Sequence, residues 1–294
     1  MAQPCVTTIL AVLLVSAPIA VHAQDTASRE LFVTVTDGAG APILDLQPDE
    51  FEVVENGAPR TVTRARLADA PMRIVLLVDS SSAVAQMLPY FRKALTAFVD
   101  ALPPEHEVAF ITSGGQLRIR AQPDADRQKL RSEAGRFASF PVGNAFVDTL
   151  IEADRRFLEP AENRWPVFVI VTTDSRDARG DPRVHQFNTF FADFIARGGT
   201  AHGVVVKGSD TGMVTEFTQH LANTTGGFYE ELMLPNALPA QLEAVAKRLA
   251  DDHRRMSMRY AIEFATEAGL DQPRIEVGVR RPGAHVLTTR GRTF

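Results

Sequence analysis

The chain has 294 residues, a formal net charge of −5, 45% hydrophobic residues and one cysteine. The acidic balance argues against a nucleic-acid footprint, which needs a basic excess. A single cysteine, Cys5, rules out an intramolecular disulfide framework, so the fold must rest on its hydrophobic core, for which the chain is long enough.

The first 23 residues have the pattern of a signal peptide. Ile9 to Val15 is an apolar core, Pro18 interrupts it, and Val21-His22-Ala23 is a small-x-small cleavage signal. The apolar run is too short to span a membrane as a helix, and no later run is long enough to do so. The expected mature chain starts at Gln24, has no membrane span, and resides in the periplasm or outside a bacterial cell.

The next segment, residues 24–69, reads as β. Leu31 to Thr36 is rich in β-formers, and Phe51 to Val54 is a second strand. Asn56-Gly57 is a hairpin signal, after which Thr61 to Leu67 returns. These strands are too few to stand alone and need a partner sheet.

Residues 70–256 alternate strands and helices. Ile74 to Val78 is an uninterrupted apolar run, the mark of a strand buried on both faces of a parallel sheet. It runs into Asp79 and three serines. Two roles fit that aspartate, a helix cap or a ligand group at the carboxyl end of a central strand. A helix is expected from Val84 to Leu102, then strands at Glu107 to Thr112 and Gln116 to Ala121. Helices follow over Ala125 to Ala138 and Asn144 to Leu158. Trp165 to Thr173 is a second oily strand, also ending in an aspartate, Asp174. Val184 to Arg197 is a helix whose phenylalanine stripe is core. Gly203 to Val206 is a third buried strand. Ser209 is expected to cap a helix through Leu221, Gly226 to Glu231 is an edge strand, and Leu238 to Leu249 marks the last helix.

Residues 257–294 return to β, with runs at Tyr260 to Phe264, Ile275 to Val279 and His285 to Thr289. The expected fold is a doubly wound, mostly parallel α/β sheet with a small β domain formed from N- and C-terminal strands.

No His-Glu-x-x-His, Gly-x-Ser-x-Gly or Walker loop occurs, and the histidines show no metal-ligand spacing along the chain. One enzymatic alternative is a phosphohydrolase with Asp79 as nucleophile. Ser81 then stands where such enzymes carry a second aspartate as general acid, and a serine cannot do that work near neutral pH.

From Met72 to Met256 the sequence resembles the von Willebrand factor A-type domain, whose metal-ion-dependent adhesion site begins with Asp-x-Ser-x-Ser after the first strand. Asp79 and Ser81 match the first two motif positions, while Ala83 replaces the third. Val142-Gly-Asn-Ala-Phe-Val-Asp148 resembles the second loop, with Asn144 in place of threonine. Asp174 matches the aspartate of the third loop, with Ser175 where glycine is usual. The flanking β segments look like those of secreted bacterial proteins related to this family. The resemblance implies a non-enzymatic adhesion or recruitment module. Its Mg2+ or Mn2+ would be held by Asp79, Ser81, Asn144 and Asp174, with one coordination position open to an acidic side chain of a protein partner. Because Ala83 has no oxygen and the reach of Asn144 differs from that of threonine, metal affinity is expected on the order of millimolar or poorer. A purely structural envelope protein is the remaining alternative.

Overall fold

The computed structural model describes residues 26–124, 126–175, 183–208, 212–267 and 273–293, with side chains undescribed at Thr26, Glu267 and 288–293. The expected signal segment and the Ser209 cap lie outside these residues.

The central sheet has six strands. They are β5 (Met72–Val78), β6 (Glu107–Thr112), β7 (Arg118–Ala121), β8 (Trp165–Thr173), β9 (Thr200–Val206) and β10 (Tyr229–Leu232). Their order is β10-β9-β8-β5-β6-β7. All neighbours are parallel except β6 and β7. The chain leaves β5 toward β6 on one side and later returns to β8 on the other. A strand order that reverses in this way opens a crevice at the carboxyl ends of the two central strands, here β5 and β8.

The oily run of β5 is buried because it feeds two cores. Ile74, Leu76 and Val78 face one layer, with α1 (Leu88–Ala101), α2 (Arg127–Gly135) and α6 (Leu238–Ser257). Val75 and Leu77 face the other, with α3 (Phe146–Ala153), α4 (Val184–Ala196) and α5 (Met213–Thr225). Each of these five side chains is fully buried. Burying one such side chain is worth about 1.5–3 kcal/mol, so the strand is a fixed platform for the loop at its carboxyl end. The phenylalanines of α4 are indeed core, with Phe187, Phe190 and Phe194 buried.

Two helices differ from expectation. The segment from Val84 begins as a 3-10 turn over Ser82–Met87, and the α-helix starts only at Leu88. Pro89 lies in its first turn, where its missing N–H costs nothing. The helix expected to reach Leu158 is α-helical only to Ala153 and then widens into a π-turn over Asp154–Leu158. That turn carries buried Asp154 against Arg197 beyond α4.

The terminal strands form two further sheets. One has the order β13-β1-β11-β4, from β1 (Thr26–Thr36), β4 (Val62–Leu67), β11 (Tyr260–Glu267) and β13 (His285–Thr293). The other has the order β12-β2-β3, from β2 (Phe51–Glu55), β3 (Ala58–Arg60) and β12 (Ile275–Val279). Asn56 and Gly57 both take positive φ, 50° and 83°, as a tight β2–β3 hairpin requires. The hairpin partner is the short β3, whereas β4 leaves to pair with β11. The apolar layer between the sheets joins both ends of the chain, with Leu31, Val33, Val35, Phe51 and Val53 against Tyr260, Ile262 and Phe264. This is the small β domain expected from the composition of the termini. Phe32 and Ala261 face the α/β core at Trp165, the Phe32 and Trp165 rings 4.8 Å apart.

Candidate functional site

Asp79 follows β5 and Asp174 follows β8, so both stand at the crevice where the strand order reverses. Asp79 is wholly buried. Its Oδ1 accepts the Ser81 N–H at 2.8 Å, and its Oδ2 accepts the Thr173 hydroxyl at 2.6 Å. The first contact is an Asx turn, spanning two residues, and the residue at the helix N-cap position is Ser81. Of the two roles open to Asp79, helix capping is therefore not the one the structure uses. The carboxylate shapes its own loop and points toward β8. Ser175 Oγ lies 3.0 Å from Thr173 Oγ1 and 3.5 Å from Asp79 Oδ2, which ties the loop of Asp174 to that of Asp79.

Asp174 is 2% exposed. Its Oδ1 accepts the Gly208 N–H at 2.7 Å, while its Oδ2 is buried and has no hydrogen-bond partner among the described residues. Ser81, also 2% exposed, has a buried Oγ with no partner among the described residues. A buried polar oxygen without a partner costs about 1–3 kcal/mol. The serine oxygen and the Asp174 carboxylate, on the loops that follow adjacent strands, together with the Asp79 carboxylate are donors of the kind a hard divalent cation takes.

Asn144 is held differently. Its Oδ1 accepts the Ser113 hydroxyl at 2.6 Å and its Nδ2 donates to Thr172 Oγ1 at 3.2 Å. Fully buried, it bridges the ends of β6 and β8 across β5. Ala83 is exposed in the 3-10 turn and offers no oxygen. The residues thus fit a cation in part. Asp79, Ser81 and Asp174 supply oxygens, Ala83 supplies none, and the Asn144 amide is engaged in holding strand ends together.

Backbone contacts assemble the three loops around these side chains. Ser82 N–H donates to Val142 O, Phe140 N–H to Ser80 O, and Ala145 N–H to Ser113 O. Gly114 N–H donates to Ser80 Oγ at 3.0 Å. A Cβ on Gly114 would lie 2.7 Å from the Ser80 carbonyl oxygen, so only glycine permits this approach. Motif spacing does not single out Thr173, Ser113 or Thr172. The one available signal is the polar run Thr172-Thr173-Asp174-Ser175 closing an otherwise apolar strand.

No protein-family model and no curated protein matches the sequence. Solved structures do match. A von Willebrand factor type A protein from Catenulispora acidiphila aligns over 92% of this chain and 74% of its own, with a TM-score of 0.53 and 12% identity. Proximal thread matrix protein 1 from the mussel byssus, with a zinc-occupied adhesion-site motif, aligns at a TM-score of 0.49 and 12% identity. That match covers 76% of this chain and about half of the mussel protein, 50%. BatB from Bacteroides thetaiotaomicron aligns at a TM-score of 0.47 and 14% identity, over 61% of this chain and 99% of its own. Scores below 0.5 add nothing to the fold assignment, which the first match and the topology carry. The chain has a von Willebrand factor A-like fold. No helix among the described residues is long and apolar enough to cross a membrane.

Proposed function

We propose that this chain is an exported protein-interaction module whose binding face is the loop cluster at the carboxyl ends of β5 and β8. The observation that carries this reading is the pair of buried oxygens, Ser81 Oγ and Asp174 Oδ2, that have no partner among the described residues, on the same loops that carry Asp79 and Ser175. A protein partner approaching with an acidic side chain would complete the site through Mg2+ or Mn2+, held by Asp79, Ser81 and Asp174. Asn144 supports the cluster as a brace. The missing ligand at Ala83 keeps the metal weakly bound, so recruitment depends on metal concentration.

The hydrolase alternative is disfavoured at Ser81, which stands where such an enzyme needs a second carboxyl group as general acid and has no proton to give near neutral pH. The deciding experiment immobilises the parent, Asp79→Ala and Asp174→Ala proteins, each shown folded by circular dichroism, and presents a native envelope fraction with Mg2+ or with chelator. The reading expects a partner held by the parent in Mg2+ and lost in both variants and in chelator. Partners held equally by all three proteins would place the binding face elsewhere. Mg2+-dependent turnover of phosphate esters would favour the hydrolase. Export is checked by mass spectrometry, which should find a mature N-terminus at Gln24.

A further inference from the structure

The opposite edge of the central sheet carries a second cluster. Glu105 and His106 immediately precede β6, and His253 lies in the final turns of α6. One potential ligand atom from each lies within 4.8 Å of the others. His106 is 4% exposed, and its Nε2 is buried with no hydrogen-bond partner among the described residues. Its Nδ1 faces the Met72 N–H at 3.4 Å. His253 Nε2 sits 3.0 Å from the Ala70 carbonyl oxygen. When Nε2–H donates to that carbonyl, Nδ1 keeps its lone pair, the backbone-anchored arrangement common among metal-binding histidines. The two imidazoles lie 4.6 Å apart and nearly perpendicular, at 79°. Glu105 is exposed and His253 half-buried, so the cluster is open to solvent at Glu105.

We propose that Glu105, His106 and His253 form a transition-metal site, with Zn2+ as its ligand, at the amino-terminal edge of the sheet. Two imidazoles and a carboxylate are a donor set for zinc, with a fourth position left to water. Among the described residues nothing else occupies the buried Nε2 of His106, which is the ring atom it offers. Binding at Nε2 requires the ring proton to sit on Nδ1, which gives up the long contact from Met72. The proton count of the ring is unchanged, and the lost contact limits affinity. The metal would clip α6 to the loop that enters β6, beside the linker residue Ala70 through which the chain enters the α/β core.

The donor chemistry separates this site from the one at Asp79. Oxygen clusters favour Mg2+ and Mn2+, whereas imidazole favours zinc and its neighbours. The test titrates the full mature chain with Zn2+, following thermal melting, and with Co2+, following the visible absorption of a low-coordinate nitrogen–oxygen site. Stabilisation saturating at one Zn2+ per chain is expected, together with a Co2+ band. Glu105→Gln and His253→Gln replace the two more accessible ligands and spare buried His106. Each should weaken zinc binding at least about 10-fold, as much as losing an outer-shell partner does. Asp79→Ala should leave it unchanged. No saturable response up to millimolar zinc overturns the proposal, as does a response that survives both ligand variants or vanishes in Asp79→Ala. Failure here leaves the proposed binding face standing, because that face is tested with Mg2+ and Asp79.

Discussion

Asn144→Thr combined with Ala83→Ser should make the protein less stable without metal and more stable with it. Asn144 makes two buried side-chain hydrogen bonds, to Ser113 and Thr172. A threonine hydroxyl can keep at most part of that bridge, and each net bond is worth about 1 kcal/mol. The metal-free cost is therefore about 1–2 kcal/mol. Ala83 is exposed, so its change to serine should contribute within about 0.5 kcal/mol. For a domain of this size 1 kcal/mol moves Tm by about 2–4 °C, which gives a fall of about 2–8 °C in chelator. The double variant supplies hydroxyls at both departed positions of the oxygen cluster. At free Mg2+ 100-fold above its Kd, linkage adds about 2.7 kcal/mol, enough to reverse the sign. Scanning calorimetry with chelator and with a Mg2+ series measures both halves, and adding Asp79→Ala should abolish the metal-dependent rise. A parent protein that is itself strongly and saturably stabilised by Mg2+ would refute the account of Asn144 as a brace and Ala83 as a gap. A double variant with unchanged metal-free stability would refute the bridging role alone.

Glu55 is fully buried between the terminal sheets, bonded to Arg60 at 2.9 Å and to Thr266 at 2.7 Å. Removing one partner of a buried pair costs about 3–5 kcal/mol, so Glu55→Ala should lower the denaturant midpoint sharply, and a loss below about 1 kcal/mol would contradict that role. Gly114→Ala should destabilise by about 1–3 kcal/mol, the cost of overpacking, because the new Cβ meets the Ser80 carbonyl; unchanged melting would show that the loops yield freely. His202 is 1% exposed, and burial, followed by Arg248, lowers its pKa to about 4. Between the unfolded value of about 6.5 and that folded value the unfolded chain binds the extra proton. Stability from this group is full above pH 6.5 and falls by up to roughly 3 kcal/mol toward pH 4. Denaturant titrations of the parent and His202→Asn across that range should show a flatter profile in the variant.

What was legible in the chain is what its own neighbours fix. The run Ile74 to Val78 announces a strand buried on both faces, since five consecutive apolar residues leave no face for water, and Asp79 then has to stand at its exit. Asn56-Gly57 announces a hairpin, since positive φ is a property of those two residues. The helix-period phenylalanines of α4 mark core for the same local reason. Pairing across the chain is not local. Nothing in Val62 to Leu67 says that it deserts the hairpin for β11, because either alignment buries a strand and the choice depends on a segment formed near the other terminus. Asn144 matched a ligand position by spacing, yet whether its amide is free or engaged depends on Ser113 and Thr172, which arrive on other strands. Glu105 and His106 are adjacent, but nothing along the chain ties them to the distant His253. Their meeting is a product of the end of α6 lying against the turn that enters β6, and a contact made by packing leaves no trace in sequence order.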